Sequence, residues 1–118
     1  DDERGAGPGE GFNLNLSMPH GSTESVFMDK LEQALDAVTT FGADVLVLSL
    51  GFDIYELDPQ SKVAVTTAGF ARLGERVRSL GLPCVIVQEG GYHLESLEDN
   101  ARAFFVGPQV WQLDGGGD

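Results

Sequence analysis

Positive charge is scarce in this sequence. Its 118 residues include 7 lysine and arginine side chains against 19 aspartate and glutamate side chains, which gives a formal net charge of -12. A surface that binds nucleic acid or an anionic membrane needs basic side chains to neutralise phosphates. The composition therefore argues against nucleic-acid and membrane partners. It would suit a cationic ligand better, although acidic proteins often owe their charge to solubility alone.

Cysteine and long apolar runs are scarce as well. The single cysteine, Cys84, excludes an intramolecular disulfide, which fits a reducing compartment, and its apolar neighbours indicate a buried packing residue. No apolar run reaches the length of a membrane span, and the first residues lack the charged-then-apolar order of a signal peptide. These features predict a cytoplasmic protein.

Several common active-site motifs are missing too. The sequence has no dinucleotide-binding glycine fingerprint, no Walker lysine and no Gly-x-Ser-x-Gly elbow, which argues against nucleotide binding and serine hydrolase chemistry. His20 and His93 each lack a second histidine or cysteine at the spacing of metal ligands. We interpret both histidines as solvated side chains.

Apolar periodicity predicts three helices. In residues 24–41, apolar side chains recur every three or four positions opposite a charged face, hydroxyl side chains precede the segment and a glycine follows it. A second helix begins after Thr66 or Thr67 and ends at Gly81, and a third includes the apolar positions of residues 94–105. Each helix should bury the face on which its apolar side chains lie.

Strands alternate with these helices. Residues 45–50 and 84–87 are apolar almost throughout, which predicts strands buried on both faces of a parallel sheet. Residues 12–17 alternate apolar and polar side chains, which predicts an edge strand with one buried face. The order predicts an α/β fold in which a parallel sheet is flanked by helices on both faces, an α/β/α sandwich with right-handed crossovers.

The two ends of the chain differ from its centre. Residues 1–11 combine charge with glycine and proline, and we expect a flexible N-terminal segment. Residues 12–107 hold the predicted α/β domain. Residues 108–118 should form a C-terminal extension anchored, if at all, by Trp111.

Unusual polar residues follow both apolar strands. Asp53 lies just past the first strand, and Gly90, Gly91 and Tyr92 lie just past the second. Ligands and catalytic groups gather beyond the carboxyl ends of parallel strands, so the topology should bring these residues together. A carboxylate can hold a divalent ion and a phenol can donate a hydrogen bond to an oxyanion. Alternatively, Asp53 caps a local turn, Tyr92 packs on a helix N-terminus and the glycine pair serves a tight turn.

Four short segments, taken together, resemble a known family. They read SLGFD, LDP, TTxxF and QEGGY, at residues 49–53, 57–59, 66–70 and 88–92. In this order they are similar to the C-terminal part of the zinc-dependent deacetylases, the family of histone deacetylases and acetylpolyamine amidohydrolases. The resemblance extends over residues 9–107, and the Glu-Gly-Gly-Tyr form is more like the class II and bacterial polyamine branches.

The resemblance implies an arginase-like fold and assigns roles to four residues. Asp53 would be one of three protein ligands of a catalytic zinc. Tyr92 would donate a hydrogen bond to the acetyl carbonyl of the substrate and stabilise the tetrahedral oxyanion. Gly90 and Gly91 would let the backbone pass close to the substrate tunnel. The implied reaction is hydrolysis of an acetylated amine, an acetylpolyamine or acetyl-lysine, to the amine and acetate.

The sequence departs from the family pattern in one respect. The family takes its other two zinc ligands from an Asp-x-His motif and uses a pair of adjacent histidines in proton transfer, and this sequence contains neither motif. We therefore expect a fragment equivalent to the last third of a deacetylase, inactive as an isolated chain and without stably bound zinc. Two alternatives stay open. One is a non-catalytic interaction or assembly module, such as a homo-oligomer that covers its open sheet edge, and the other is a metal site completed by several chains.

Overall fold

The computed structural model describes residues 2–107. After a short 3₁₀ turn at Gly7–Gly9, strands and helices alternate along the chain. They are β1 (Ser22–Thr23), α1 (Glu24–Phe41), β2 (Leu46–Leu50), β3 (Val63–Ala64), α2 (Thr67–Ser79), β4 (Cys84–Gln88) and α3 (Leu94–Val106). The predicted C-terminal extension, residues 108–118 with Trp111, lies outside the described residues. Within residues 2–107, no helix has both the length and the apolarity needed to cross a membrane.

The three predicted helices are confirmed, and two of them begin at threonine caps. The Thr23 hydroxyl accepts a hydrogen bond from the Val26 amide at 3.4 Å, and Thr66 accepts one from the Gly69 amide at 3.0 Å. Each cap satisfies an amide that has no partner within its own helix. Helix α1 ends at Gly42, whose φ of 76° is left-handed and therefore favours glycine.

The strands form two parallel pairs. Strand β2 pairs with β4 from Leu46 opposite Cys84 to Leu50 opposite Gln88, and the short β1 pairs with β3. The prediction of parallel sheet flanked by helices is confirmed. Because β2 and β4 run in the same direction and in register, their carboxyl ends lie side by side.

The predicted edge strand at residues 12–17 is wrong. This segment has no strand structure, and Phe12 and Leu14 are 71% and 41% exposed. The ring of Phe12 instead packs edge-on against that of Phe41, with 5.8 Å between the ring centroids. An alternating pattern shows that a segment has an apolar face, but a strand also needs a neighbour to take its backbone hydrogen bonds. Within residues 2–107 no strand pairs with this segment.

The prediction that β2 and β4 are buried on both faces is also wrong for this chain. Val47 and Val85 are 67% and 54% exposed, and Cys84, which we expected to be buried, is exposed. The alternate positions, among them Leu48 and Ile86, pack against the core. An apolar run indicates that both faces are suited to burial. It cannot show that the layer covering the second face lies within the same residues.

The core lies between the helices and the loop that follows β2. Phe70 of α2 and Phe104 of α3 are 0% and 2% exposed, and the two helices pack closely where Gly74 faces the carbonyl of Phe104. The centroid of the Phe70 ring lies 5.2 Å from that of Phe52. Phe52 is itself 2% exposed and lies in the loop after β2. The core therefore supports that loop from beneath.

A partly buried polar cluster connects the start of α1 to the start of α2. One carboxylate oxygen of Glu24 accepts hydrogen bonds from both the amide and the hydroxyl of Thr66, each at 2.8 Å, and the other pairs with Arg72. Burial by itself opposes ionisation of Glu24, but the Thr66 bonds and Arg72 outweigh it and hold its pKa below the usual value. The carboxylate is therefore ionised at neutral pH.

We expect this cluster to make the stability of the fold sensitive to acid. A carboxyl whose pKa is lowered by folding stabilises the protein above its unfolded pKa, and the contribution disappears as the pH falls through the folded pKa. Replacing Glu24→Gln should cost about 1–3 kcal/mol at neutral pH and flatten the acid limb of the stability curve. Urea unfolding between neutral and acid pH measures this. The exposed Glu56→Gln is the matched control, and an equal flattening in both variants would contradict the assignment.

Candidate active site

Asp53 lies in the turn beyond β2, with its carboxylate between two glycines. A Cβ atom added at Gly51 would lie 2.5 Å from Oδ1 of Asp53, and one added at Gly90 would lie 2.6 Å from Oδ2. These distances are too short for any real side chain, so glycine at both positions leaves room for the carboxylate. Within residues 2–107 no donor makes a hydrogen bond to the Asp53 side chain, which leaves its oxygen lone pairs free of protein partners.

The two loops that follow β2 and β4 are joined by backbone hydrogen bonds. The Glu89 amide donates to the Leu50 carbonyl at 2.8 Å, and the Phe52 amide donates to the Gly90 carbonyl at 2.7 Å. Asp53 and the glycine pair therefore meet, as the topology predicts. Gly91 has a φ of 150°, a conformation that favours glycine. A Cβ there would also lie 3.1 Å from that of Phe52.

Tyr92 has a fixed backbone and an exposed side chain. Its amide donates a hydrogen bond to Oδ2 of Asp58 at 2.6 Å. The residue is 55% exposed, and within residues 2–107 its hydroxyl makes no hydrogen bond. The phenol is therefore open to a ligand from solvent.

Asp58 is the site residue that our reading of the sequence missed. It is only 6% exposed, and its carboxylate accepts hydrogen bonds from the amides of Gln60 at 2.8 Å, Tyr92 at 2.6 Å and His93 at 3.2 Å. The capping role that we considered for Asp53 thus belongs to Asp58. The available signal was an aspartate directly before Pro59, since aspartate side chains commonly bond the backbone two residues on.

The pKa of Asp58 is lowered by its surroundings. Burial alone would raise it, but the hydrogen bonds from the amides of Gln60, Tyr92 and His93 favour the ionised form and outweigh burial. The neighbouring His93 ring adds a smaller electrostatic effect in the same direction. Asp58 is therefore a carboxylate at neutral pH, able only to accept hydrogen bonds.

The two histidines differ from each other. His20 is exposed, as expected. His93, which we expected to be solvated, is half-buried, with its ring 5.4 Å from that of Tyr55. Its Nδ1 atom is buried and has no hydrogen-bond partner among the described residues. The expectation of a solvated His93 is therefore wrong, because the ring packs against the loop that follows β2.

The described residues do not complete a metal centre. Within residues 2–107 no group of three or more histidine, cysteine, aspartate or glutamate side chains converges on a point that could hold a metal ion. A catalytic zinc usually takes three protein ligands, and Asp53 belongs to no such group. The donor set of residues 2–107 therefore does not fit a catalytic zinc without ligands from further residues.

Comparison with known proteins gives consistent matches. The family model for the histone deacetylase domain matches residues 1–107. The chain is 64% identical to an acetylpolyamine amidohydrolase of Burkholderia pseudomallei over 91% of its own length and 31% of that protein. It is 41% identical to acetylpolyamine amidohydrolase 1 of Pseudomonas aeruginosa over 85% of its length and 29% of that protein. The chain thus spans about a third of the length of these curated relatives.

Solved structures agree with the sequence matches. The crystal structure of the acetylpolyamine aminohydrolase from Burkholderia pseudomallei superposes with a TM-score of 0.89 at 64% identity, over 91% of this chain and 31% of that one. A histone deacetylase homologue from Aquifex aeolicus superposes with a TM-score of 0.75 at 33% identity, over 87% of this chain and 27% of that one. With fold, motifs and family model in agreement, this chain belongs to the histone deacetylase family, and within that family it is similar to bacterial acetylpolyamine amidohydrolases.

Proposed function

We propose that this chain carries the C-terminal part of the active site of a zinc-dependent deacetylase that hydrolyses acetylated amines, acetylpolyamines or acetyl-lysine, to the amine and acetate. The observation that carries the proposal is the meeting of Asp53 with the Gly90 turn at the adjacent carboxyl ends of β2 and β4. In parallel sheets this is where catalytic groups gather. The similarity to bacterial acetylpolyamine amidohydrolases supports the substrate class.

Asp53 is, in this proposal, one metal ligand. Its carboxylate is close to the backbone of Gly51 and Gly90, and no donor among residues 2–107 occupies its oxygens. Carboxylate oxygen is an ordinary zinc ligand. Because the remaining ligands are not among the described residues, the metal requires residues that these strands and loops do not supply.

Tyr92 is, in this proposal, the hydrogen-bond donor to the acetyl oxygen. Its ring is exposed enough to meet a substrate, while its backbone is held by Asp58. A donor aimed at an oxygen on which negative charge develops stabilises the transition state more than the ground state. The backbone at Gly90 and Gly91 lies beside the same turn, where the absence of side chains leaves room for a narrow substrate tunnel.

The isolated chain should be inactive, and this can be measured. A fluorogenic acetyl-lysine peptide and an acetylpolyamine are incubated with the chain at saturating and at zero zinc. We expect no turnover above the zinc-free background and, after dialysis, far less than one zinc per chain, since a single carboxylate is a weak site. Substantial zinc-dependent turnover would contradict the prediction that the site of the isolated chain is incomplete.

A matched pair of variants separates this from a metal site shared between chains. Asp53→Asn removes the proposed ligand, and Asp44→Asn changes an exposed aspartate of the same kind. If chains complete a site together, zinc content should approach a fixed ratio to chain and fall only in Asp53→Asn. A zinc content that is low and equal in the wild type and in both variants supports the proposal that this chain supplies a single ligand.

A second function, a non-catalytic assembly module, is favoured by one observation. The outer face of β2 and β4 exposes Val47, Val85 and Val87, and Val45, directly before β2, is exposed as well. Adjacent exposed valines on a sheet form an apolar surface of the kind that partners cover. Sedimentation equilibrium of the isolated chain tests this, since a module that assembles with itself would be oligomeric, and Val47→Lys should then return it to a monomer.

A further inference from the structure

We propose that Asp58 is the positioning residue for Tyr92, holding its backbone to the loop that carries Asp53. The inference rests on the role proposed above for Tyr92. It adds a residue whose part is to place the phenol rather than to touch the substrate.

The contacts of Asp58 span two loops that are far apart in sequence. Its Oδ1 accepts the amide of Gln60 at 2.8 Å within its own loop. Its Oδ2 accepts the amides of Tyr92 at 2.6 Å and His93 at 3.2 Å, from the loop that follows β4. Its own amide donates to the Tyr55 carbonyl at 2.9 Å, which fixes Asp58 in the loop beyond Asp53. The carboxylate therefore bridges the two loops of the candidate site.

On either side of Tyr92 the segment is held by the hydrogen bond from Phe52 to Gly90 and by packing of the His93 ring against Tyr55. It follows Gly90 and Gly91, whose backbones can adopt more conformations than those of other residues, and it precedes α3. His93 occupies the N-cap position of α3 but makes no side-chain capping bond. The Asp58 carboxylate accepts the amides of Tyr92 and His93, which directly precede the first turn of α3, and it therefore lies near the positive end of the helix dipole.

The side chain of Tyr92 takes its position from this backbone. Tyr92 is 55% exposed as a residue and its hydroxyl has no partner within residues 2–107, so contacts of the side chain restrain its position little. A donor must lie within hydrogen-bond distance of the reacting oxygen, and a displacement of about 1 Å can cost on the order of a hundredfold in rate. The hydrogen bonds from the amides of Tyr92 and His93 to Asp58 are therefore a direct restraint on the backbone that carries the phenol.

Nuclear magnetic resonance of the isolated ¹⁵N-labelled chain tests the positioning without requiring turnover or metal. In Asp58→Asn we expect the amides of Tyr92 and His93 to exchange with solvent about tenfold faster or more. The backbone order parameter at Tyr92 should fall from about 0.85 towards 0.6 or less. The amides of Leu48 and Ile86 in the β2–β4 pair should keep their wild-type exchange. The exposed Asp29→Asn on α1 is the matched control and should change none of them.

Two results would overturn the proposal. One is an Asp58→Asn variant in which the Tyr92 and His93 amides exchange as in the wild type. The other needs no variant, in case Asp58→Asn fails to fold. In the wild type the amide shifts of Gln60, Tyr92 and His93 should titrate together on the acid side of the usual aspartate range, and separate midpoints would refute a shared carboxylate. Zinc-dependent turnover by the isolated chain would contradict the incomplete site of the proposed function and would leave these amide shifts unchanged, so the two proposals fail separately.

Discussion

Gly74→Ala is expected to lower the free energy of unfolding by about 3 kcal/mol. Gly74 lies in α2 at its contact with α3, where an added Cβ would overlap the carbonyl oxygen of Phe104. The obstacle is backbone, so no side chain can rotate out of the way and the two helices must move apart. Urea unfolding followed by circular dichroism measures the loss.

Gly9→Ala is the matched control for this substitution. Gly9 has open space where a Cβ would lie and is not among the glycines with positive φ, so alanine there should change stability by no more than about 0.5 kcal/mol. Equal stability of the Gly74 and Gly9 variants would show that α2 and α3 are less closely packed than the structure indicates.

Phe70→Ala should cost about 3–5 kcal/mol of unfolding free energy. Its side chain is fully buried, and truncation removes apolar contacts and leaves a cavity beside Phe52 within the core. Such a loss is comparable to the whole stability of many small domains, so the variant should be largely unfolded at 37 °C. Thermal unfolding followed by circular dichroism is the measurement.

Phe12→Ala removes an equally large ring from the surface. Phe12 is 71% exposed and contacts mainly Phe41, so we expect a cost below about 1 kcal/mol. A similar loss for both phenylalanines would contradict the core described above. The comparison also bears on the site, because Phe70 supports Phe52, the residue directly before Asp53.

The helices could be predicted from the sequence because their signals are local. A repeat of three and four residues, a threonine before the first turn of α1 and α2, and Gly42 after the end of α1 all act within a few residues of one another. The meeting of Asp53 with Gly90 was also predictable, since two parallel strands bring their following loops to the same edge. Family resemblance, not periodicity, supplied the roles of Asp53 and Tyr92.

The misses share one cause, which is that they depend on partners distant in sequence. Whether Val47 and Cys84 are covered depends on a second layer that apolar composition cannot locate. Whether residues 12–17 form a strand depends on a neighbouring strand to bond with. Asp58 was overlooked because its importance lies in contacts with Tyr92 and His93, more than thirty residues away.

By itself, the sequence determined the helices, the parallel strands and the family of this protein, because each follows from short-range patterns or from a fixed order of motifs. Only the tertiary structure decided which face of the sheet is open, and that no group of three potential metal ligands forms around Asp53 within residues 2–107. It alone identified Asp58 as the residue that bonds the backbone of Tyr92. Burial and hydrogen bonding are properties of groups brought together by folding, and the spacing of residues along the chain does not contain them.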